Sequence, residues 1–246
     1  MTEAIVAVVL LNILGFLAAY LLQTDKLTDL LYSTSFVTLV IVLWFAGDQP
    51  GGITIWLYAM VLIWAIRLGG YLFLRIHAMG RDERFDDMRP SFRRFLGFWL
   101  LQTISILIIG LPLLLTASEN GNPGTTTYVG AVVWLAGLLL ETIADWQKFS
   151  FKQKHPDQFM SSGLWRHIRH PNYLGEILVW IGVLITSAPL LDGVAWLAIL
   201  SPVWIFVLLR FISGIPLLEE RATEKYGDLP AYQAYLENTG RLLPKF

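Results

Sequence analysis

Cysteine is absent from the 246 residues, and its absence removes several classes of chemistry. The chain cannot form a disulfide, a thiolate metal site, a cysteine nucleophile or a haem link through Cys-x-x-Cys-His. No glycine-rich loop of the Gly-x-Gly-x-x-Gly or Walker type is present, so a nucleotide would have to bind outside the common soluble nucleotide-binding folds. Neither the four histidines nor the charged segment Asp82–Asp87 has metal-ligand spacing. We predict no metal site, and local ion pairs in that segment.

Charged residues are also scarce, at 15% of the chain, whereas 55% of the residues are hydrophobic and the net charge is −1. The mean hydropathy is +0.58. A soluble domain of this length needs a more charged surface, so we predict an all-α integral membrane protein. The first apolar run follows Glu3 without a basic start or a cleavage pattern, and no nucleic-acid-binding motif is present. Neither a cleavable signal peptide nor a nucleic-acid partner is therefore expected.

Seven apolar runs predict seven transmembrane helices. A helix needs about 20 residues to cross the hydrocarbon, and the first five runs satisfy this length. The sixth and seventh are shorter, and their separation depends on Pro189 and Asp192, which break one long apolar stretch. The predicted spans are residues 3–22, 28–46, 52–74, 95–116, 126–147, 173–188 and 193–213.

The basic residues predict the topology. The connections 47–51, 117–125 and 189–192 contain no lysine or arginine, and every basic residue except Arg67 lies in the other connections or near the C-terminus. The positive-inside rule then places the N-terminus outside and the C-terminus in the cytoplasm. Residues Leu217–Leu236 are too polar to span and are predicted to lie across the cytoplasmic face as one or two helices.

The stretch Gly163–Glu176 concentrates basic and titratable side chains just before a proline suited to the first turn of a helix. A helix N-terminus with arginine and histidine beside it suits an anion such as a phosphate. The alternative is that the arginines are anchors at the membrane interface. On the new helix, Asn172, Tyr173 and Glu176 share one face.

Two stripes of ionisable and aromatic residues recur at helical spacing inside the apolar runs. Because ionisable residues inside a span are costly, each is a functional candidate. The stripes either pair with each other and hold the bundle together, or line a polar cavity open to the cytoplasm that suits a dinucleotide. One stripe is Trp64, Arg67, Tyr71 and Arg75, and the other is Glu141, Asp145, Lys148 and Lys152.

The segment Ser162–Ile177 resembles the C-terminal signature of the membrane steroid 5-alpha-reductases, in particular that of their bacterial relatives. The segments Glu141–Lys152, Ser213–Glu220 and Tyr232–Tyr235 resemble the same group. The similarity covers residues 140–246 well and the first half only through Arg67, Tyr71 and the arginine-rich loop.

This resemblance implies a seven-span bundle that binds NADPH from the cytoplasmic side and reduces a carbon–carbon double bond of a lipid-like enone. It implies a single membrane domain over residues 1–246, with a lipid-substrate half at 1–116 and a cofactor-binding half at 117–246. The expected location is the bacterial inner membrane, with the active site facing the cytoplasm. Membrane lipid and the lipid-like substrate are the expected partners, without an obligate protein partner.

The resemblance also assigns roles to residues. Asn172, Tyr173 and Glu176 would contact the nicotinamide end. Asp145 and Lys152 would contact the cofactor's polar groups with Tyr71 beside them, and Arg166, Arg169 and His170 would bind phosphate. The remaining predicted cofactor contacts are Arg67, Arg75, Glu141, Lys148 and Tyr235.

The chain departs from the family in the first half. Trp64 stands where the family has the tyrosine that polarises the steroid ketone, and Glu141 stands where it has an asparagine. The substrate therefore need not be a 3-keto steroid. The candidates for the group that supports charge on the substrate are Asp29, Tyr32 and Tyr58.

Two other functions stay open. The isoprenylcysteine carboxyl methyltransferases, which bind S-adenosylmethionine, share the Arg-His-Pro-x-Tyr core and the terminal Glu-Glu, Tyr-Gly and Tyr-x-x-Tyr pattern. They usually have Gly-Pro-Tyr at the position of Gly163–Trp165, lack the Gly175–Glu176 pair and have fewer spans. A non-catalytic lipid-binding membrane protein with the same fold is the third possibility.

Overall fold

The structure is a computed structural model that describes residues 1–46, 50–80 and 85–245. This described part is helical, with one isolated β-bridge between Ile168 and Gly240. The α-helices are α1 Thr2–Leu21, α2 Lys26–Ala46, α3 Gly52–Met79, α4 Phe92–Ile109, α5 Leu111–Thr116, α6 Thr125–Lys154, α7 Pro171–Ser187, α8 Leu200–Val207, α9 Ile215–Tyr226 and α10 Pro230–Asn238. Short 3₁₀ segments occupy Gly163–Arg166, Ala188–Leu190 and Gly193–Ile199, and a π-helical turn occupies Leu208–Ile212.

Within the described ranges, seven helical stretches are long and apolar enough to cross a membrane, which confirms the predicted number. The break between the sixth and seventh is also confirmed: the carboxylate of Asp192 accepts a hydrogen bond from the backbone N–H of Gly193 at 2.7 Å. The fifth stretch continues to Lys154, beyond the predicted end at 147, because its polar residues lie on one face and the helix does not stop where hydropathy falls. The polar C-terminal region forms two helices, α9 and α10, as predicted.

The chain divides into two compact units. Unit 1 comprises Met1–Ala131 and Val183–Ser201, and unit 2 comprises Val132–Gly182 and Pro202–Phe246. The single-domain assignment and its division into a lipid half and a cofactor half stay predictions. The whole Gly163–Glu176 stretch and the charged stripe of α6 belong to unit 2.

Unit 1 contains a buried polar contact between three helices. Asn12 of α1 donates to the hydroxyl of Ser35 on α2 at 2.9 Å and to the carbonyl of Val8 at 2.9 Å. Gln102 of α4 donates to the amide oxygen of Asn12 at 3.2 Å. Hydrogen bonds of this kind join helices in an apolar medium, where the hydrophobic effect contributes little. The amide of Asn12 is therefore a structural element of unit 1.

Ion pairs fix the start of α2 and the segment before α4. Arg75 contacts Asp29 at 2.6 Å, and Arg89 contacts Asp25 at 2.8 Å. Arg89 also pairs with Asp86, one of the local ion pairs predicted for the charged loop. Residues 81–84 of that loop lie outside the described residues.

In unit 2, helices α6 and α7 approach each other at two glycines. A Cβ atom on Gly137 would lie 2.6 Å from the backbone nitrogen of Val179. A Cβ atom on Gly175 would lie 2.6 Å from the backbone nitrogen of Glu141. No side chain fits at such distances, so small residues are what let the two backbones meet. This contact brings Glu141 against α7 at the residue that precedes Glu176.

Candidate functional site

Among the described residues of unit 2, four histidine, aspartate or glutamate side chains are more than nine-tenths buried. The exposed fractions are 2% for Glu141, 4% for Asp145, 6% for His170 and 9% for Glu176. Glu141 and Asp145 are four residues apart on α6 and share a face, as predicted. Burying ionisable groups among apolar helices is costly, so a cluster of four indicates a specific role.

The Gly163–Arg166 turn is attached to this face of α6. The backbone N–H of Leu164 donates to the side-chain oxygen of Gln147 at 3.0 Å, and the indole of Trp165 donates to the carbonyl of Ala144 at 3.0 Å. The ammonium of Lys148 lies 4.6 Å from the centre of the Trp165 ring. Gly163 has φ +60°, and a Cβ atom there would lie 2.6 Å from the Gln147 oxygen, so both the backbone angle and the space favour glycine.

A second set of contacts joins Arg169 and His170 to residues near the C-terminus. The carboxylate of Glu219 accepts from Arg169 at 3.2 Å and from Arg241 at 2.9 Å, and lies 3.4 Å from Nε2 of His170. The backbone N–H groups of Arg169 and His170 donate to the carbonyls of Gly240 and Arg241 at 2.8 and 3.1 Å. Arg169, a predicted phosphate ligand, is thus already paired within the protein. Sequence analysis did not identify Glu219 or Arg241, although Glu219 belongs to the terminal Glu-Glu pattern.

The environment of His170 favours its neutral form. Burial lowers the pKa of His170 below its ordinary value, although the hydrogen bond with Glu219 acts in the opposite direction. A neutral imidazole that donates from Nε2 to Glu219 has Nδ1 as an acceptor, by the tautomer this contact implies. The ring of Tyr173 stacks on His170, with centroids 5.5 Å apart and planes 10° from parallel.

Two buried acceptor atoms at the start of α7 have no hydrogen-bond partner in the described part of the chain. They are Nδ1 of His170 and Oδ1 of Asn172. Buried polar atoms are nearly always paired in native proteins, so each unpaired atom calls for an explanation. Both are acceptors, and an N–H or O–H group of a bound ligand would satisfy them. Glu176, one turn further along α7, adds a carboxylate to the same face.

Two other predicted cofactor residues, Lys152 and Tyr235, form hydrogen bonds within the protein. The ammonium of Lys152 donates to the carbonyls of Pro156 and Gln158 at 3.2 and 2.6 Å and to the hydroxyl of Tyr226 at 2.9 Å. The hydroxyl of Tyr235 donates to the carbonyl of Trp165 at 2.7 Å, and burial raises the pKa of Tyr235. These contacts hold the loop after α6 and the Gly163–Arg166 turn. Contact of either residue with a cofactor stays a prediction.

The candidates from the first half all lie in unit 1. Arg67 lies 5.7 Å from the ring centre of Tyr71, one turn along α3. The carboxylate of Asp29 is engaged by Arg75. Tyr32 packs edge-on against Phe36 and Trp64, at 5.3 and 6.5 Å between ring centres. Tyr58 is 2% exposed, and its hydroxyl has no hydrogen-bond partner in residues 1–46, 50–80 and 85–245.

The same described ranges contain no group of three histidine, aspartate or glutamate residues arranged to hold a metal ion. The buried carboxylates of Glu141, Asp145 and Glu176 can therefore accept hydrogen bonds from polar groups of a ligand, or pair with cationic side chains.

Comparison with known proteins identifies the family. The model of the DUF1295 family, described as proteins of unknown function, matches residues 15–239. The chain therefore belongs to the DUF1295 family, which is steroid 5-alpha-reductase-like. An uncharacterized protein of Schizosaccharomyces pombe is 31% identical over 87 residues, which are 35% of this chain and 24% of that protein. No solved structure matches the chain significantly.

Proposed function

We propose that this member of the DUF1295 family is an NADPH-dependent reductase of a carbon–carbon double bond in a lipid-like enone. The observation that carries the proposal is the pair of unpaired buried acceptors at the start of α7, His170 Nδ1 and Asn172 Oδ1. They stand next to the face that the resemblance assigns to the nicotinamide. The nicotinamide carboxamide is a neutral amide with two N–H donors, so its chemistry complements these acceptors.

The residues of unit 2 fit this cofactor. Asn172 would accept one carboxamide N–H and Glu176 the other, while Tyr173 would pack on the ring. A carboxylate at mid-span costs about 3 kcal/mol on insertion scales. Near the start of α7 this cost is smaller, and the helix dipole offsets part of it. The bound cofactor supplies a hydride, and the contribution of these side chains is to orient it and exclude water.

The substrate would require a donor for the charge that develops on its oxygen. Asp29 is the weaker candidate because its carboxylate is already engaged by the guanidinium of Arg75. Tyr58 lies six residues into α3, seventeen residues before Arg75, and the proposed topology puts that end of α3 outside. Tyr32 lies in the second turn of α2, at the proposed cytoplasmic end. We therefore favour Tyr32 as the donor.

The proposed setting is a bacterial inner membrane, with the N-terminus outside, the C-terminus in the cytoplasm and a polar cofactor cavity open to the cytoplasm. The distribution of lysine and arginine supports this orientation. The lipid substrate would enter from the bilayer, and no protein partner is required.

One argument for the methyltransferase alternative, the shared C-terminal pattern, does not distinguish the two families. Residues of the terminal pattern that both families share make structural contacts here: Glu219 pairs with Arg169 and Arg241, and Tyr226 accepts from Lys152. The shared pattern therefore supports a common architecture and does not favour S-adenosylmethionine.

Titration of the purified protein in detergent with NADPH, NADH and S-adenosylmethionine tests the proposal. We expect saturable binding of NADPH, weaker binding of NADH because it lacks the 2′-phosphate, and no binding of S-adenosylmethionine. Glu176→Gln should weaken NADPH binding by about 1–3 kcal/mol, the range for one charge-assisted hydrogen bond, without lowering the melting temperature of the cofactor-free protein.

Saturable binding of S-adenosylmethionine alone would establish the transferase instead, and binding of neither would favour a lipid-binding protein. A destabilised Glu176→Gln variant with intact NADPH affinity would show that Glu176 only neutralises an arginine. If NADPH binds, a screen of enones with cofactor consumption as the readout identifies the substrate class. Tyr32→Phe should then lower turnover more than Tyr58→Phe does.

A further inference from the structure

Unit 2 has an open groove of about 560 Å³ whose lining includes no residue of α7. One side is formed by the segment from Phe159 to His167, and the other by α10 and the residue after it. This volume is within the range of about 300–1,000 Å³ that small-molecule sites occupy. The groove thus has the size of a site for a nucleotide end or a lipid headgroup.

The groove contains one arginine and one histidine, and both side chains are accessible. Arg166 and His167 line it and are exposed, and no residue that lines it is acidic. Within the described chain, neither side chain forms a hydrogen bond or an ion pair. Ser161 and Asn238 add neutral polar groups, and Phe159 adds an aromatic wall. A guanidinium next to hydroxyl and amide groups matches the oxygens of a phosphate.

The two sides of the groove are held together by hydrogen bonds from side-chain hydroxyls to backbone carbonyls. Tyr235 of α10 donates to the carbonyl of Trp165 at 2.7 Å, and Thr239 donates to the carbonyl of Arg166 at 3.4 Å. The Ile168–Gly240 bridge continues this attachment. A groove fixed in this way does not have to be ordered when a ligand binds, which lowers the entropic cost of binding.

We propose that this groove binds a phosphate ester, with the guanidinium of Arg166 as the main ligand to the phosphate and the Phe159 wall against the rest of the molecule. Two sources share this chemistry: the headgroup of an anionic lipid and the adenosine 2′-phosphate end of a dinucleotide. The second source rests on the proposed function, whereas the first does not.

The test uses the full chain in phosphatidylcholine nanodiscs with two soluble probes, adenosine 2′,5′-bisphosphate and dihexanoyl phosphatidylglycerol. We expect saturable binding of at least one probe, reduced about tenfold in Arg166→Gln, the loss expected for about one charge-assisted hydrogen bond. Asn238→Asp, which places a negative charge in the groove, should reduce binding of the same probe. Arg221→Gln is the matched control, because Arg221 is an exposed arginine of α9 outside the groove.

Binding of the bisphosphate alone assigns the groove to a dinucleotide, and binding of the phospholipid alone assigns it to lipid. Absence of saturable binding for both probes overturns the proposal. Equal losses in Arg166→Gln and Arg221→Gln also overturn it, because the attraction would then be diffuse. If a probe binds as expected but neither the wild-type protein nor Asn172→Ala binds NADPH, the groove proposal is supported and the reductase proposal fails.

Discussion

Two asparagines with buried amide oxygens, one in each unit, show the difference between a structural polar group and a candidate binding group. In unit 1, Asn12 donates to Val8 and Ser35 and accepts from Gln102. In unit 2, the amide oxygen of Asn172 is buried with no hydrogen-bond partner among the described residues. A buried amide oxygen without a partner carries a desolvation cost, which the hydrogen bond from Gln102 offsets for Asn12. The comparison makes the start of α7 the candidate ligand contact that the following variants test.

The largest effect is expected from placing a methyl group between α6 and α7, where the two helices meet next to this site. Gly175→Ala should lower the unfolding free energy by about 1–3 kcal/mol, because the new methyl group would overlap the backbone of Glu141. Gly70→Ala is the control, since a Cβ atom there meets nothing within 4 Å. Thermal unfolding in detergent measures both. Equal stability of the two variants would refute the close approach of the helices.

Asn172→Ala tests the comparison directly. The NADPH affinity should fall by about 1–3 kcal/mol, the range for one lost hydrogen bond and its unpaired partner. The melting temperature of the cofactor-free protein should stay the same or rise, because an unpaired buried acceptor is removed. Calorimetric titration and thermal unfolding measure the two quantities. A less stable protein with unchanged affinity would make Asn172 structural, like Asn12.

Asn12→Ala should give the opposite pattern. Loss of its interhelical hydrogen bonds should cost about 0.6–1.7 kcal/mol of stability, as measured for such bonds in membrane proteins. The NADPH affinity should not change, because Asn12 lies in the structural network of unit 1. Thr34→Ala is the control, since the Thr34 hydroxyl bonds only to its own helix at Leu30. A loss of affinity in Asn12→Ala would remove the distinction between the two asparagines.

The smallest effect concerns pH and the other unpaired acceptor, His170. Its pKa in the folded protein is below the ordinary value of 6.5 because the ring is buried, so the unfolded chain binds the proton more readily. Stability should therefore be constant above about pH 7.5 and fall as the pH drops through 6.5 toward the lowered pKa. His170→Gln should flatten this part of the profile of melting temperature against pH, whereas His155→Gln, at an exposed histidine, should not. An unchanged profile in His170→Gln would assign the pH dependence to other groups.

Features governed by local pattern were accessible from the sequence. Seven spans follow from the lengths of the apolar runs, and the break at Asp192 follows from the chemistry of a helix-capping residue. The common face of Glu141 and Asp145 follows from helical spacing alone. The periodicity does not say which way this face points. The burial of both side chains shows that it points into the protein.

The contacts that define the candidate site were decided by tertiary structure, because they join residues far apart in the chain. His170 meets Glu219 across 49 positions, Tyr235 meets Trp165 across 70, and Lys152 meets Tyr226 across 74. No hydropathy or spacing pattern specifies which distant acceptor a lysine or arginine will find. Spacing and residue type identified the start of α7 as a candidate site. The fold adds that Arg169 and Lys152 are paired within the protein, whereas the amide oxygen of Asn172 and the guanidinium of Arg166 have no partner among the described residues.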